Sequence, residues 1–565
     1  MPKGVKGAMY ADDLVLWCSE EYISTANFRL REALLQLEKW TKEWVVRVNA
    51  VMTTYTVFTL STKDQKVNLV FNGLILQEDK TPVYLGVTFD PRLTWKEQLQ
   101  KNKTKAKLRM SLMKKLAGTH WGANHNVLKK MYTGRIRPTL EYGMAATCTA
   151  SKSQKENRNK IQNQAMRIMT GAMCSTPISC LETITGLQSL EERCDIKVLT
   201  QDEKFKRLQN HPMSNITRRP KTRLLRTSFF KESKNLREED PTLADQTPEP
   251  LLQASSLPPW KDHTIKIRTE IPGIESKNIQ PEHVRKTVAL DYLQNTYNQE
   301  IWTEVYTDGS ATEATRDGGA GVYIKYNEGE ARHSYAAGKY SSNYRAEAVA
   351  MTKAADELSS NANEIKPNVV ILTDALSVLD GLKNGKEKCL DPLHKALAKL
   401  SSKANVTLQW IPAHCGIPGN EIADALAKEG SRLEQTDRTT TYQEVKTYIK
   451  RSSKSRWMAM HRDYSKSDPY YKLSREDQVV IFRLRTGHNR MNAHLRRIHL
   501  TPTDLCLKCG NAPMTSEHIL QDCEALTQQR KALWPQETSY GTKLFGTLRD
   551  LQRAAKFVKD AHITI

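Results

Sequence analysis

Four acidic residues stand where separate secondary-structure elements could bring their carboxylates together. Asp308 and Asp374 each follow an apolar strand pattern, whereas Glu347 and Asp424 lie within helical patterns. Magnesium prefers oxygen ligands, and two ions about 4 Å apart can activate a water and stabilise the leaving oxygen of a phosphodiester. One carboxylate cannot hold two dications, so a cluster of acids suits this chemistry. Taken singly, each acid has the simpler interpretation of a surface residue at the end of an element.

The elements that must position these acids follow an α/β pattern that begins at Trp302. We predict strands at residues 304–307, 320–326, 332–338, 369–373 and 406–411. We predict helices at residues 342–358, 376–382, 392–401 and 421–429. Two of the acids then follow strands and two lie on helices, so four elements would have to converge on one point.

Four motifs around the acids occur in a definite order along the chain. They are Tyr306-Thr307-Asp308-Gly309-Ser310, Asn343-Tyr344-Arg345-Ala346-Glu347, Leu372-Thr373-Asp374, and the run from Trp410 to Ala427 that contains Pro412, His414, Gly419 and Asp424. This series closely resembles type 1 ribonuclease H over about residues 301–432. The resemblance implies an α/β domain with a five-stranded mixed sheet and flanking helices.

The same resemblance implies roles for individual residues. The four acids would bind two Mg²⁺ ions, with Mn²⁺ as an alternative, and His414 would assist catalysis and product release. A histidine between Pro and Gly turns suits proton handling near pH 7, although a loop histidine is also an ordinary surface residue. Gly309 and Asn343 match family positions that touch the 2′-hydroxyls of RNA, the group that separates RNA from DNA.

Two departures from the family pattern concern how substrate is held. Ala375 and Leu376 follow Asp374 where the family commonly has a polar pair. Residues 381–393 are too few for the long basic protrusion with which some members grip the hybrid. We therefore expect substrate affinity to depend on basic segments outside this domain.

Charge is unevenly divided along the 565 residues, in which 85 Lys and Arg face 63 Asp and Glu for a net charge of +22. Residues 96–137 hold 12 basic residues and one acid, a net +11, and residues 446–499 hold 14 basic and four acidic residues, a net +10. Residues 301–430 hold 14 basic and 17 acidic residues, a net −3. A lysine-rich helix face is often only a solvated surface. Two such strongly basic segments instead predict contact with nucleic-acid phosphates.

The beginning of the chain carries a second acidic motif. Tyr10-Ala11-Asp12-Asp13 resembles the metal-binding hairpin of reverse transcriptases. Later segments resemble those that follow this hairpin in Jockey-like and I-like non-LTR retrotransposon polymerases, namely Tyr84-Leu85-Gly86-Val87-x-x-Asp90, Leu93-Thr94-Trp95 and Arg137-Pro138-Thr139-Leu140-Glu141-Tyr142-Gly143. The resemblance implies a partial palm at residues 1–95 and a helical thumb or connection at residues 96–200. Since this sequence holds no upstream aspartate, fingers or nucleotide-binding region, we expect no DNA synthesis from Asp12 and Asp13.

Three cysteines and one histidine near the end of the chain have spacing suited to tetrahedral zinc. They are Cys506, Cys509, His518 and Cys523. The alternative is a set of unrelated buried cysteines. The pattern resembles the segment found after ribonuclease H in I-like elements, which implies a structural zinc segment at residues 501–530. Such a site would stabilise basic helices predicted at residues 440–500, ahead of a final helix or tail at residues 531–565.

The remaining signals concern linkers and location. Residues 201–300 contain nine prolines and no sustained periodicity, which predicts a partly disordered linker. No apolar run is long enough to cross a bilayer, and the first residues lack the apolar core of a secretory signal. We therefore expect an intracellular protein, in cytoplasm, nucleus or both, that is neither secreted nor membrane-spanning.

Three functions are consistent with these patterns. The first is a nuclease that cuts the RNA strand of RNA–DNA hybrids in support of retrotransposon replication. The second is a remnant that binds RNA or DNA without catalysis. The third is part of a reverse transcriptase, which would need a missing polymerase half or an element ribonucleoprotein as partner.

Overall fold

The fold is given by a computed structural model that describes residues 1–63, 65–209, 228–244, 246–251, 265–275, 279–312, 315–326, 328–384 and 388–565. The chain divides into two compact units. Among the described residues, the first unit contains residues 1–63, 65–198, 228–232 and 454–565, and the second contains the others.

The first unit begins with an antiparallel hairpin of the strands Val5–Tyr10 and Asp13–Cys18, as the paired acids between apolar segments predict. The helix Ile23–Glu43 follows, and a small apolar cluster around Leu34 and Phe71 packs against it. Short strands complete this part of the unit at Thr54–Tyr55, Val70–Phe71, Leu74–Ile75, Gln77–Glu78, Val83–Tyr84 and Val87–Thr88.

Helices are the main secondary structure of the described residues outside the large sheet, which is described below. Those in the first half are Lys96–Lys114, His125–Met131, Arg137–Glu141, Lys152–Thr170, Ile178–Thr185, Leu190–Arg207, Phe229–Glu238 and Pro241–Ala244. Those after residue 440 are Tyr442–Met460, Arg475–Thr486, Asn492–Arg497, Thr527–Leu533, Tyr540–Phe545 and Leu548–Asp560.

Residues of both basic segments meet in the core of the first unit. The Arg475 guanidinium donates hydrogen bonds to the carbonyl oxygens of Gly118, at 3.0 Å, and Ile168, at 2.8 Å. The backbone N–H of His125 donates to Gln478 Oε1 at 2.9 Å. Two segments separated by more than 300 residues of sequence therefore form one folded body.

The second unit is built on a six-stranded mixed sheet. Its elements in chain order are β1 (Lys266–Arg268), α1 (Glu282–Thr296), β2 (Trp302–Thr312), β3 (Arg316–Lys325), β4 (Glu330–Gly338), α2 (Asn343–Ser360), β5 (Asn368–Thr373), α3 (Leu376–Asn384), α4 (Asp391–Ser401), β6 (Asn405–Trp410) and α5 (Pro418–Gly430). The spatial order is β4-β3-β2-β5-β6-β1. The pairs β4–β3 and β3–β2 are antiparallel, and the other three pairs are parallel.

Both faces of this sheet are covered by helices. Helices α2, α3 and α4 pack on one face around residues such as Met351 and Ile371, and α1 and α5 pack on the other face around Val370 and Leu372. The middle of strand β5, residues 369–372, is a continuous apolar run because it is buried on both faces, which is typical of a central parallel strand.

The predicted mixed sheet and its helices are confirmed, but the expected five strands are six. The added edge strand β1 lies in residues 201–300, for which we predict a linker. Three residues are too few to show a period, so this strand had no sequence signal of its own. Other described parts of that region include helices. The remainder of the linker prediction, at residues 210–227, 245, 252–264 and 276–278, lies outside the described residues.

Within the described ranges, none of the helices combines the length and the apolar character needed to cross a lipid bilayer.

Candidate active site

Strand β2 and helix α2 approach each other closely at Gly309. A Cβ atom on Gly309 would lie 2.1 Å from the backbone nitrogen of Glu347, so only glycine fits at this position. The Gly309 backbone N–H also hydrogen-bonds to the carboxyls of Asp308 and Glu347. The Ser342 hydroxyl caps α2 by accepting the Arg345 backbone N–H at 3.2 Å. Close packing and a fixed helix start thus set the first two acids side by side.

The structure brings three of the four predicted acids together. Carboxylate oxygens of Asp308, Glu347 and Asp374 all lie within 4.8 Å of one another. Asp374 directly follows β5, and the parallel register that pairs Thr307 with Thr373 sets it beside Asp308 on β2. Asp308 is buried, and the other two acids are half-buried.

The protonation of these acids is strongly perturbed. Burial raises the pKa of the Asp308 carboxyl to about 8, and the negative charges of Asp374 and Asp424 add to the rise. Burial and the charge of Asp308 raise the pKa of Glu347 well above its ordinary value. Burial also raises the pKa of Asp374, against a hydrogen bond from the Asn420 side chain. The cluster therefore concentrates negative charge that a bound cation would stabilise.

Asp424 lies near the cluster but outside its tightest part. Its charge acts on Asp308 and Glu347, and its carboxylate forms an ion pair of 2.5 Å with Lys428 one helical turn away. Helix α5, which carries it, lies directly on β3 because glycines line the contact. A Cβ atom on Gly321 would lie 2.1 Å from the Ala423 carbonyl oxygen.

His414 and Asn420 flank Asp374 from the loop and helix that follow β6. His414 is exposed on the loop, with a positive φ of 48°, and its charge lowers the pKa of Asp374. Asn420 is only 3% exposed, and its side chain hydrogen-bonds to Asp374. Asn420 was not among the predicted site residues, although it lies within the motif that runs from Trp410 to Ala427. Asn343, the other predicted substrate contact, is the exposed first residue of α2.

The chemistry of the acid cluster fits a divalent cation. Oxygen is the ligand atom that hard cations prefer, and three carboxylates within 4.8 Å offer several. Glu347 Oε2 is buried and has no hydrogen-bond partner among the described residues, so one ligand atom is left for an ion.

Comparison with known proteins identifies the family that shares this site. Residues 300–432 match the family model described as RNase H. Ribonuclease HI of Synechocystis sp. is 30% identical over 138 residues, which cover 22% of this chain and 83% of that protein. The chain belongs to the ribonuclease H family. Ribonucleases H generally use divalent metal ions, in agreement with the donor set of the cluster.

Similarity beyond the ribonuclease H region confirms the predicted resemblance to retrotransposon polymerases. The probable RNA-directed DNA polymerase from transposon BS of Drosophila melanogaster is 27% identical over 232 residues, 41% of this chain and 26% of that protein. The RNA-directed DNA polymerase from mobile element jockey, of the same species, is 25% identical over 165 residues, 29% of this chain and 18% of that protein. This chain spans about a quarter or less of either relative.

A second potential metal site lies in the first unit, away from the ribonuclease H sequence. Ligand atoms of Cys506, Cys509, His518 and Cys523 lie within 4.8 Å of one another. The sulfurs of Cys506 and Cys523 are 3.9 Å apart, and Cys509 Sγ is 3.3 Å from His518 Nε2. Zinc–sulfur bonds of about 2.3 Å in a tetrahedron give sulfur–sulfur edges of about 3.8 Å. A hydrogen bond from the Asn511 backbone N–H lowers the pKa of the Cys509 thiol, which favours the metal-binding thiolate.

Asp12 and Asp13 occupy the turn of the N-terminal hairpin. Ala11 adopts a positive φ of 52° there, and both aspartates are exposed. Neither belongs to the two groups of potential metal ligands found among the described residues.

Proposed function

We propose that this chain cuts the RNA strand of RNA–DNA hybrids by hydrolysis that depends on two Mg²⁺ ions, as part of a retrotransposon polyprotein. The observation that carries the proposal is the set of three carboxylates within 4.8 Å in a chain of the ribonuclease H family. Bound Mg²⁺ would activate a water and stabilise the leaving oxygen, giving 3′-hydroxyl and 5′-phosphate ends.

The chain's own residues have separate tasks in this reaction. Asp308, Glu347 and Asp374 hold the ions, and Asp424 completes the set after it leaves Lys428. His414, exposed on its loop beside Asp374, assists catalysis and product release. The backbone at Gly309 and the side chain of Asn343 contact 2′-hydroxyls, which separate an RNA strand from DNA.

Cleavage of a labelled RNA–DNA hybrid in the presence of magnesium tests the proposal. We expect Asp374→Asn and Glu347→Gln to lower the rate by more than about 100-fold, since even outer-shell partners of metal sites contribute roughly 10- to 100-fold. Asp380→Asn is the matched control, because Asp380 is an exposed acid on α3. We expect it to cleave like the unaltered chain.

The second candidate is a nucleic-acid-binding remnant without catalysis. The two basic segments, at +11 and +10, favour it, because they would hold a polyanion whether or not cutting occurs. A chain that binds hybrids and leaves them intact at saturating magnesium would reject the nuclease and support this alternative.

We also propose that Cys506, Cys509, His518 and Cys523 bind one structural Zn²⁺ ion. A closed set of four protein ligands leaves no position for a substrate, so the ion would stabilise the surrounding segment. We further propose that the chain contains a partial polymerase palm at residues 1–95, a thumb at residues 96–200 and a basic helical region at residues 440–500.

A further inference from the structure

Helix α1 packs against the loop that carries His414, although it precedes the family match in sequence. Its Ala289 and Leu293 are buried in the same apolar cluster as Cys415 and Ile417 of that loop. These four side chains are at most 5% exposed. The contact is therefore part of the core and fixes the helix against the loop.

Polar contacts from the same segment add to this anchoring. The Tyr297 hydroxyl, just after α1, donates a hydrogen bond of 2.8 Å to Gln409 Oε1 on β6. Gln409 Nε2 in turn donates to the Glu270 carbonyl oxygen at 3.2 Å. Gln409 is fully buried, so both ends of its amide need these partners. Strand β1 and helix α1 are thus integral parts of the sheet domain.

This packing places a lysine beside the His414 loop. A Cβ atom on Gly416 would lie 3.3 Å from Lys286 Nζ. Lys286 forms no ion pair with an acid in the described ranges. Gly416 is two residues from His414, and consecutive Cα atoms are about 3.8 Å apart, so the ammonium group lies within about 12 Å of that histidine. His414 in turn acts on Asp374 of the acid cluster.

We propose that Lys286 contacts a backbone phosphate of the bound hybrid, a few nucleotides from the scissile bond. The inference rests on the proposed function and adds a phosphate contact from outside the family match. The domain at residues 301–430 has a net charge of −3 and too few residues at 381–393 for a basic protrusion. The Lys286 ammonium group supplies positive charge beside the His414 loop, where the domain otherwise lacks it. Successive nucleotides of a strand rise by about 3.4 Å, so a phosphate near the scissile bond falls within its reach.

Salt-dependent binding of a short labelled hybrid tests this contact in the full chain. Asp374→Asn serves as the background in which hybrid stays intact. We expect Lys286→Gln to weaken binding about 3- to 10-fold and to lower the slope of log affinity against log salt by about one. In the chain with Asp374 intact, KM should rise by the same factor while kcat stays unchanged.

Two variants decide between a phosphate contact and a packing role. Lys286→Arg keeps the charge and should restore affinity and slope. Lys395→Gln removes an exposed lysine from α4 on the opposite face of the sheet, and should change neither. An unchanged slope in Lys286→Gln, or a fall in kcat alone, would overturn the proposal. Affinity loss in a chain that cuts no hybrid would support the contact and reject only the nuclease function.

Discussion

At neutral pH and without a metal ion, Asp308 keeps its proton in the folded chain. Its pKa of about 8 contrasts with an ordinary value of 3.8. Between these values the folded state holds a proton that the unfolded chain has lost. The stability that protonated Asp308 contributes is therefore fully present below the ordinary pKa of 3.8 and is lost as the pH rises through about 8. A bound divalent ion would reverse this loss by replacing the proton.

We predict that Asp308→Asn stabilises the metal-free protein. Asn has a similar shape and no charge, so the free energy of unfolding should rise by about 2 kcal/mol at pH 8 and the gain should shrink towards pH 5. Urea unfolding in EDTA at both pH values measures this. Asp380→Asn, which removes an exposed acid, should show no such trend. Added magnesium should stabilise the unaltered chain more than Asp308→Asn, and a gain that is equal at both pH values would contradict the argument.

At the scale of elements, the acid cluster depends on how closely β2 and α2 approach. We predict that Gly309→Ala separates them, since the new Cβ would lie 2.1 Å from the Glu347 backbone nitrogen. Moving two ligands at once should lower hybrid cleavage by more than about 100-fold, and overpacking should cost about 1–3 kcal/mol of stability. Cleavage rates and urea unfolding measure the two effects.

Gly134→Ala is a suitable control for that substitution. It lies in a helical segment of the first unit, and a Cβ atom there would have no neighbour within 4 Å. We expect it to leave cleavage unchanged. If Gly309→Ala cleaved hybrid as fast as the unaltered chain does, the prediction would be wrong. The strand and helix could then separate without disturbing the metal ligands.

Sequence patterns predicted most of the elements that hold the site, because the strands and helices of the sheet domain are long enough to show a pattern. Strand β5 contains a continuous apolar run, and helix α2 has a helical period. What the sequence did not reveal depends on three-dimensional contact. Strand β1 is only three residues long, Asn420 lacks a charge that would mark it as a ligand partner, and Gly321 acquires its role only when α5 lies on β3.

The Cys/His segment allows a prediction at the same scale. We expect purified chain to contain about one zinc ion and Cys509→Ser to lose it, because one ligand of four is removed. Proteolysis of residues 501–530 should then become faster. Cys174→Ser, at an exposed cysteine outside the cluster, should retain the ion. Equal protease resistance in chelated and untreated chain would reject a structural role for zinc.

At the scale of the whole molecule, the two basic segments were predicted as separate regions of the sequence. In the first unit they share a core, because Arg475 and Gln478 hydrogen-bond to residues near positions 118–168. Periodicity cannot reveal contacts across more than 300 residues, since it reports only local structure. We therefore expect a polyanion such as nucleic acid to bind to a single folded body that contains most of both basic segments.

Arg475 is the residue on which this joint body can be tested. It is 6% exposed, and its guanidinium satisfies backbone carbonyl oxygens of Gly118, Ile168 and Met169. We predict that Arg475→Met lowers the free energy of unfolding of the first unit by about 2–4 kcal/mol, because it leaves those acceptors unpaired. Arg490→Met, at an exposed arginine, should have little effect. In limited proteolysis, Arg475→Met should make residues 96–137 and 454–499 sensitive together, because they fold as one body. Release of one segment while the other stays protected would contradict this.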